Sequence, residues 1–243
     1  MEKRATVIEQ IREKEKNVLL LDAGDILNIG INPRRHRYIV ETYNFLKYDA
    51  WVPGDQDFIE GPDFFLNRLL QSKMTFVNTN IKTNGVLQGS RYKIKKFGEL
   101  TIGITGTIDQ NLHKYLAPSS RKFFKFENQE KSLSPVINEL SEKCDFIILL
   151  SHSGFENDKF LAERFPEIGL IIGGHSQILI NDAEKVGPTL IVQLDGNAYR
   201  LGVLHLYFEN RKLNMHENKI ILLDKKINNQ PQVMKIIKEY SRK

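Results

Sequence analysis

Four times along this chain a short apolar run breaks off into a cluster that joins glycine to aspartate or histidine. Val18 to Leu21 ends in Asp22-Ala23-Gly24-Asp25, and Trp51-Val52 ends in Pro53-Gly54-Asp55-Gln56-Asp57. Phe146 to Leu150 ends in Ser151-His152-Ser153-Gly154, and Leu170-Ile171-Ile172 ends in Gly173-Gly174-His175-Ser176-Gln177. Continuous apolar runs of this length are the mark of strands covered on both faces. A fold that suits them must bury a sheet between helices.

The intervals supply those helices. Ala5, Ile8 and Ile11 stand at helical spacing within 4–16, ahead of the first run. Further helices are expected near 37–47, 62–72, 132–143, 156–164 and 232–240, and strands near 50–52, 75–78, 146–150 and 169–172. Extended runs at 92–94, 100–104, 189–193, 201–209 and 213–222 add a second sheet or mixed pairing. Regular alternation of this kind gives an α/β fold. From Gly106 to Gln129 no clear periodicity shows over a stretch longer than the usual connection, which reads as either a functional loop or a mobile one. With 243 residues, 41% of them hydrophobic, and neither repeat nor low-complexity tract, residues 1–243 read as a single domain with a sizeable core.

Several function classes fall away. The longest apolar stretches, Phe146 to Leu150 and Gly169 to Gly174, are far below the roughly 18 to 20 residues of a membrane span. The N-terminus runs straight into a polar amphipathic pattern, without the apolar core of a secretory signal. As written the chain reads as cytoplasmic; with its true start upstream it reads as extracytoplasmic. Cys144 is alone, which excludes a disulfide framework and makes it a buried small hydrophobe. The formal charge of +5 is spread along the chain and selects no partner. Phe123, Phe124 and Phe126 alternate with Lys122 and Lys125, the pattern of a segment packing one face on the core, so no nucleic-acid partner is expected. Arg34, Arg35 and Arg37 form the densest basic cluster, a solvated helix start or an anion-steering patch. His36, His113, His205 and His216 lie outside the four clusters and read as structural.

In an α/β sheet, polar groups just past the carboxyl ends of strands line the ligand crevice. Glycine allows the sharp turn, while carboxylate and imidazole supply ligand atoms aimed at a common point. Together the four clusters read as a metal site.

These blocks resemble the calcineurin-like metallophosphoesterases, in particular their 5′-nucleotidase branch. The likeness is carried by Arg4-Ala5-Thr6 with Asn17 to Asp25, by Tyr48-Asp49-Ala50 with Gly54-Asp55-Gln56-Asp57-Phe58, by Leu150 to Gly154 with Asp158, Leu161-Ala162 and Pro166, and by Ile171 to Gln177. It implies a four-layer α-β-β-α sandwich with two mixed sheets, in which two divalent metals at the strand ends hydrolyse phosphate esters. Carried over, Asp25 would bridge both metals, and Asp55, His152 and His175 would ligate the second.

The chain departs from that pattern at defined points. The opening strand and its Asp-x-His block are missing, which would leave an unpaired sheet edge and make Met1 an internal residue of a longer protein. Gln177 stands where the last histidine would complete the first metal, and a neutral amide is a doubtful ligand. Asp55 replaces an asparagine ligand and keeps an oxygen in place. Gln56 replaces the histidine that assists the leaving group, and an amide delivers no proton near neutral pH. The expectation is a degraded dinuclear site with weak or no activity, holding at most one divalent metal such as Mn or Zn, or none, with the polar groups merely capping turns. A phosphate ester or nucleotide is the expected small-molecule partner. The resemblance implies that the nucleoside is held by a C-terminal domain beginning about where these residues stop, so no such domain is expected within 1–243 and the substrate is not readable. The rival expectation is a non-catalytic binding or assembly module on the same scaffold.

Overall fold

The computed structural model of the protein describes residues 1–27, 29–196 and 198–241. Helix α1 (Glu2–Lys14) buries Ala5, Val7 and Ile8, and the chain then enters strand β1 (Leu21–Asp22). Of the run Val18 to Leu21, only Leu21 is paired, opposite Ala50, with Asp22 opposite Trp51, so the strand is shorter than its apolar content suggests. Helix α2 (Pro33–Leu46) begins where the Asn32 side chain accepts the Arg35 N–H at 3.0 Å, with Pro33 filling a position that needs no donor. Its buried residues Ile39, Val40, Tyr43 and Leu46 recur at helical spacing and form one face. Strand β2 (Ala50–Trp51) runs parallel to β1. The helix expected at 62–72 is a single turn, α3 (Pro62–Phe64), continued by a π turn at Phe65–Leu69. The strand expected at 75–78 is reduced to bridges from Phe76 to Trp51 and from Val77 to Ser90.

Strands β3 (Ile81–Thr83), β4 (Val86–Leu87), β5 (Tyr92–Phe97) and β6 (Leu100–Ile108) follow. The stretch from Gly106 to Gln129, expected as a loop, holds the end of β6, a 3-10 turn at Gln110–Tyr115, helix α4 (Pro118–Phe123) and strand β7 (Phe124–Phe126). Each is too short for periodicity to register. β7 pairs with β3, burying Phe124 and leaving Lys125 exposed, which is the alternation expected there. Next come α5 (Gln129–Lys143), β8 (Phe146–His152), α6 (Phe155–Arg164), β9 (Leu170–Gly173), β10 (Glu184–Val186) and β11 (Thr189–Gln193). The hairpin β12 (Arg200–Glu209) and β13 (Lys212–Leu222) and helix α7 (Pro231–Ser241) complete the chain.

One mixed sheet has the order β10-β11-β9-β8-β6-β5, with four central parallel strands and an antiparallel strand at each edge. Every residue of β8 is buried. Ile147 and Leu149 pack against Leu133, Ile137 and Leu140 of α5 and Leu161 of α6. Phe146, Ile148 and Leu150 face Ala50 and Val52, with Leu21, Leu204 and Leu206 against the same cluster. Beyond β1 and β2, a third cluster joins α1, α2 and α7 through Ala5, Ile8, Val40, Tyr43 and Val233. The layers therefore run helices, six-stranded sheet, second strand layer, helices, as the α/β sandwich requires. Cys144 is half-buried against the α5 side of the sheet, not fully interior. Among the described residues no helix is long and apolar enough to cross a membrane.

Candidate metal centre

Each expected ligand sits where a strand gives out. Asp25 follows β1, Asp55 opens a 3-10 turn after β2, His152 is the last residue of β8, and His175 lies just past β9. Strands from both layers thus aim their ends at one place. One ligand atom each from Asp55, His152 and His175 falls within 4.8 Å of the others. His152 Nε2 is 3.4 Å from Asp55 Oδ1 and 3.5 Å from Asp25 Oδ2, and His175 Nδ1 is 3.2 Å from the same Asp55 oxygen. The His152 side chain is 1% exposed and that of His175 32%, so the cluster opens to solvent on the His175 side.

Local backbone explains how four loops come so close. A Cβ on Gly24 would lie 2.5 Å from the Gly54 N and 2.7 Å from His152 Nδ1, and a Cβ on Gly54 would collide with the Asp25 carboxylate and the His152 ring. Only hydrogen fits at these two points. Asp25, His175 and Gln177 adopt φ of 57°, 73° and 54°, a left-handed conformation that costs a side-chain-bearing residue free energy and collects at functional sites.

The histidine is oriented from behind. His152 Nδ1 lies 2.7 Å from the Ala23 carbonyl, a bond in which the ring N–H donates, leaving Nε2 turned toward the two carboxylates. That Nε2 is buried and has no hydrogen-bond partner among the described residues. A buried imidazole nitrogen with no hydrogen-bond donor to accept from, facing two carboxylates, fits a divalent cation with nitrogen and oxygen ligands.

Without a cation the charges satisfy one another. Burial disfavours the His152 imidazolium, but the negative charges of Asp25 and Asp55, 3.5 and 3.4 Å from Nε2, prevail and push its pKa up to about 10. Burial likewise works against the Asp55 carboxylate, yet the neighbouring His152 imidazole and the hydrogen-bonded His175 hold it well below the usual carboxylate range. Both groups must exchange partners when a cation enters.

Asp57 is a site residue that sequence reasoning missed, although it stood within the quoted cluster. It is 1% exposed, and its carboxyl accepts the N–H of Gly54 at 2.8 Å, of Asp25 at 2.9 Å and of Leu27 at 3.0 Å, tying the β1 and β2 turns together. Burial, reinforced by the Asp25 charge, pushes its pKa up to about 8 against the pull of its amide donors. The available signal was an acid three residues past Gly54, in position to accept from the start of a helical turn.

The remaining expected residues lie as follows. Gln56 is bound into the site through its backbone, whose N–H donates to Asp25 Oδ1 at 3.0 Å. Gln177 turns its side-chain amide against Gly196 in the loop after β11. His36 is fully buried and 2.6 Å from Glu60, a structural pairing, while Arg34, Arg35 and Arg37 are exposed at the start of α2.

The profile of the calcineurin-like phosphoesterases matches residues 1–179. The chain belongs to this family. It is 30% identical to a 5′-nucleotidase of Homo sapiens over 89% of its own length and 43% of that protein. It is also 30% identical to the snake venom 5′-nucleotidase of Naja atra, over 95% of its length and 49% of that protein. The chain therefore spans less than half the length of these two nucleotidases. The crystal structure of a calcineurin-like phosphoesterase from Bacillus subtilis superposes with a TM-score of 0.86 at 22% identity, covering 100% of this chain and 88% of that one, which shows the shared fold.

Proposed function

We propose that the chain is a 5′-nucleotidase-like phosphoesterase domain that holds one divalent cation, Mn or Zn, at Asp25, Asp55, His152 and His175 and turns over phosphate esters slowly. The observation that carries this reading is the convergence of Asp55, His152 and His175 within 4.8 Å. When bound, such a cation supplies Lewis-acid polarisation of a phosphoryl oxygen and lowers the pKa of water. The residues do the rest. Asp55 and His175 bind at the open side, His152 is held in orientation by the Ala23 carbonyl, and Asp57 keeps the Asp25 and Asp55 turns in register. Gln56 contributes a donor at most, so the leaving group departs without an acid, a loss of about 10² to 10⁴ in rate. Nucleotides and other phosphate esters are the substrate class that the relatives' names suggest.

A second reading, a metal-free binding or assembly module, rests on the His152 and His175 ion pairs with Asp25 and Asp55, which satisfy the cluster without a cation. Turnover separates the two. The parent chain with Mn²⁺ should hydrolyse adenosine 5′-monophosphate slowly, read as released inorganic phosphate, and Gln56→His should accelerate it at least ~tenfold by restoring a proton donor to an alkoxide leaving group. No hydrolysis by either chain, at any Mn²⁺ or Zn²⁺ concentration, would favour the module.

A further inference from the structure

A chain of polar groups runs from the buried Arg4 of α1 through Tyr43 to the half-buried Asp22 at the metal-site turn. Arg4, 9% exposed, donates from Nη1 to the hydroxyls of Tyr43 at 3.2 Å and Tyr48 at 3.4 Å. The two rings stack with centroids 4.4 Å apart. The Tyr43 hydroxyl donates to Asp22 Oδ2 at 2.9 Å, and Asp22 Oδ1 accepts the Gly24 N–H at 3.1 Å. Gly24 is the residue immediately before Asp25, and it packs so close to Gly54 and the His152 ring that a Cβ would not fit between them.

The composition of this chain argues for a purpose beyond filling space. Burying Arg4 and half-burying Asp22 carries a desolvation cost that apolar side chains of the same volume would avoid, so the charges are a poor way to gain stability. They are a good way to fix one geometry, because the Tyr43 hydroxyl accepts from Arg4 and donates to Asp22 in set directions. That fixed geometry ends on a single backbone N–H beside a proposed ligand.

We propose that Tyr43 and Asp22 are positioning residues for Asp25: through the Gly24 N–H they hold the left-handed turn that presents the Asp25 carboxylate to the cation. The inference rests on the site being a cation site. Tyr43→Phe tests it in the full chain, since it keeps the ring and its stack on Tyr48 and removes only the hydroxyl. Tyr92→Phe is the control, because the Tyr92 hydroxyl also donates to a carboxylate, Glu139 at 2.5 Å, away from the four strand-end clusters. Two readouts are taken well below the melting temperature: Mn²⁺ affinity by isothermal titration calorimetry, and amide hydrogen exchange at Gly24 and Asp25 by NMR. Tyr43→Phe should bind Mn²⁺ roughly 10-fold more weakly, the scale of outer-shell losses at metal sites, and exchange the Gly24 amide at least about 10-fold faster. Tyr92→Phe should change neither. Tyr48→Phe, which leaves the Asp22 bond intact, should shift both in the same direction by less, and serves if Tyr43→Phe does not fold. Unchanged affinity and exchange in Tyr43→Phe would overturn the proposal. If the parent takes up no Mn²⁺, the cation reading fails instead, and exchange at Gly24 alone decides whether the network sets the turn.

Discussion

Asp57→Ala removes the brace between the two carboxylate-bearing turns, and the structure sets the size of the effect. Three buried N–H groups, of Asp25, Leu27 and Gly54, lose their acceptor. An orphaned buried donor costs about 1–3 kcal/mol, so the gross loss is about 3–9 kcal/mol. Removing a buried carboxyl beside Asp25 returns part of this through lower desolvation and repulsion, leaving a net loss of about 3–5 kcal/mol. For a chain of 243 residues the entropy of unfolding translates 1 kcal/mol into about 2 °C, so the melting temperature should fall by about 6–10 °C. Asp57→Asn keeps one oxygen for the Asp25 and Gly54 amides and turns its own amide on Leu27, losing one donor and about 1–3 kcal/mol. Differential scanning calorimetry of the chelator-treated protein at pH 7 reads both. An Ala variant within about 1 °C of the parent, or an Asn variant as unstable as the Ala variant, would refute the reasoning.

The pH dependence of the metal-free chain follows from groups whose folded pKa is raised. His152 goes from 6.5 to about 10, Asp57 from 3.8 to about 8, and Asp158, buried against Gly173, from 3.8 to about 7. In each case the folded state binds the extra proton, so stability is complete below the unfolded value and is lost as pH rises through the folded one. Melting temperature in chelator should therefore decline from pH 6.5 to 10, whereas a rise across that range would contradict the assignment. Asp55, held low, works in the opposite sense and loses its contribution as pH falls below its unfolded value of 3.8. Gly54→Ala should weaken Mn²⁺ affinity at least ~10-fold, because its Cβ displaces Asp25 and His152; calorimetric titration showing parent-like affinity would mean the two turns are free to separate.

Much of this was legible in the sequence, for a physical reason. A strand buried on both faces writes itself as a continuous apolar run, so β8 and β9, with His152 and His175 at their ends, stand out. Asp25 and Asp55 follow from the same rule, although β1 and β2 are only two residues long. Elements shorter than one period left no trace. The turn, helix and strand between Gln110 and Phe126 therefore read as a loop, and the π turn at Phe65–Leu69 read as ordinary helix. Polar groups that act through other groups were equally hidden. Asp57, the Ala23 carbonyl and the Arg4–Tyr43–Asp22 chain matter through bonds between residues distant in sequence, and no local pattern encodes those partners.

The claim that everything else depends on is that the strand ends form a cation site. Isothermal titration of Mn²⁺ into the chelator-treated full chain tests it most directly, in parallel with His152→Ala and Asp55→Ala. The account predicts one binding event per chain that both substitutions abolish. No uptake up to millimolar Mn²⁺ or Zn²⁺, or uptake that survives both substitutions, would contradict it.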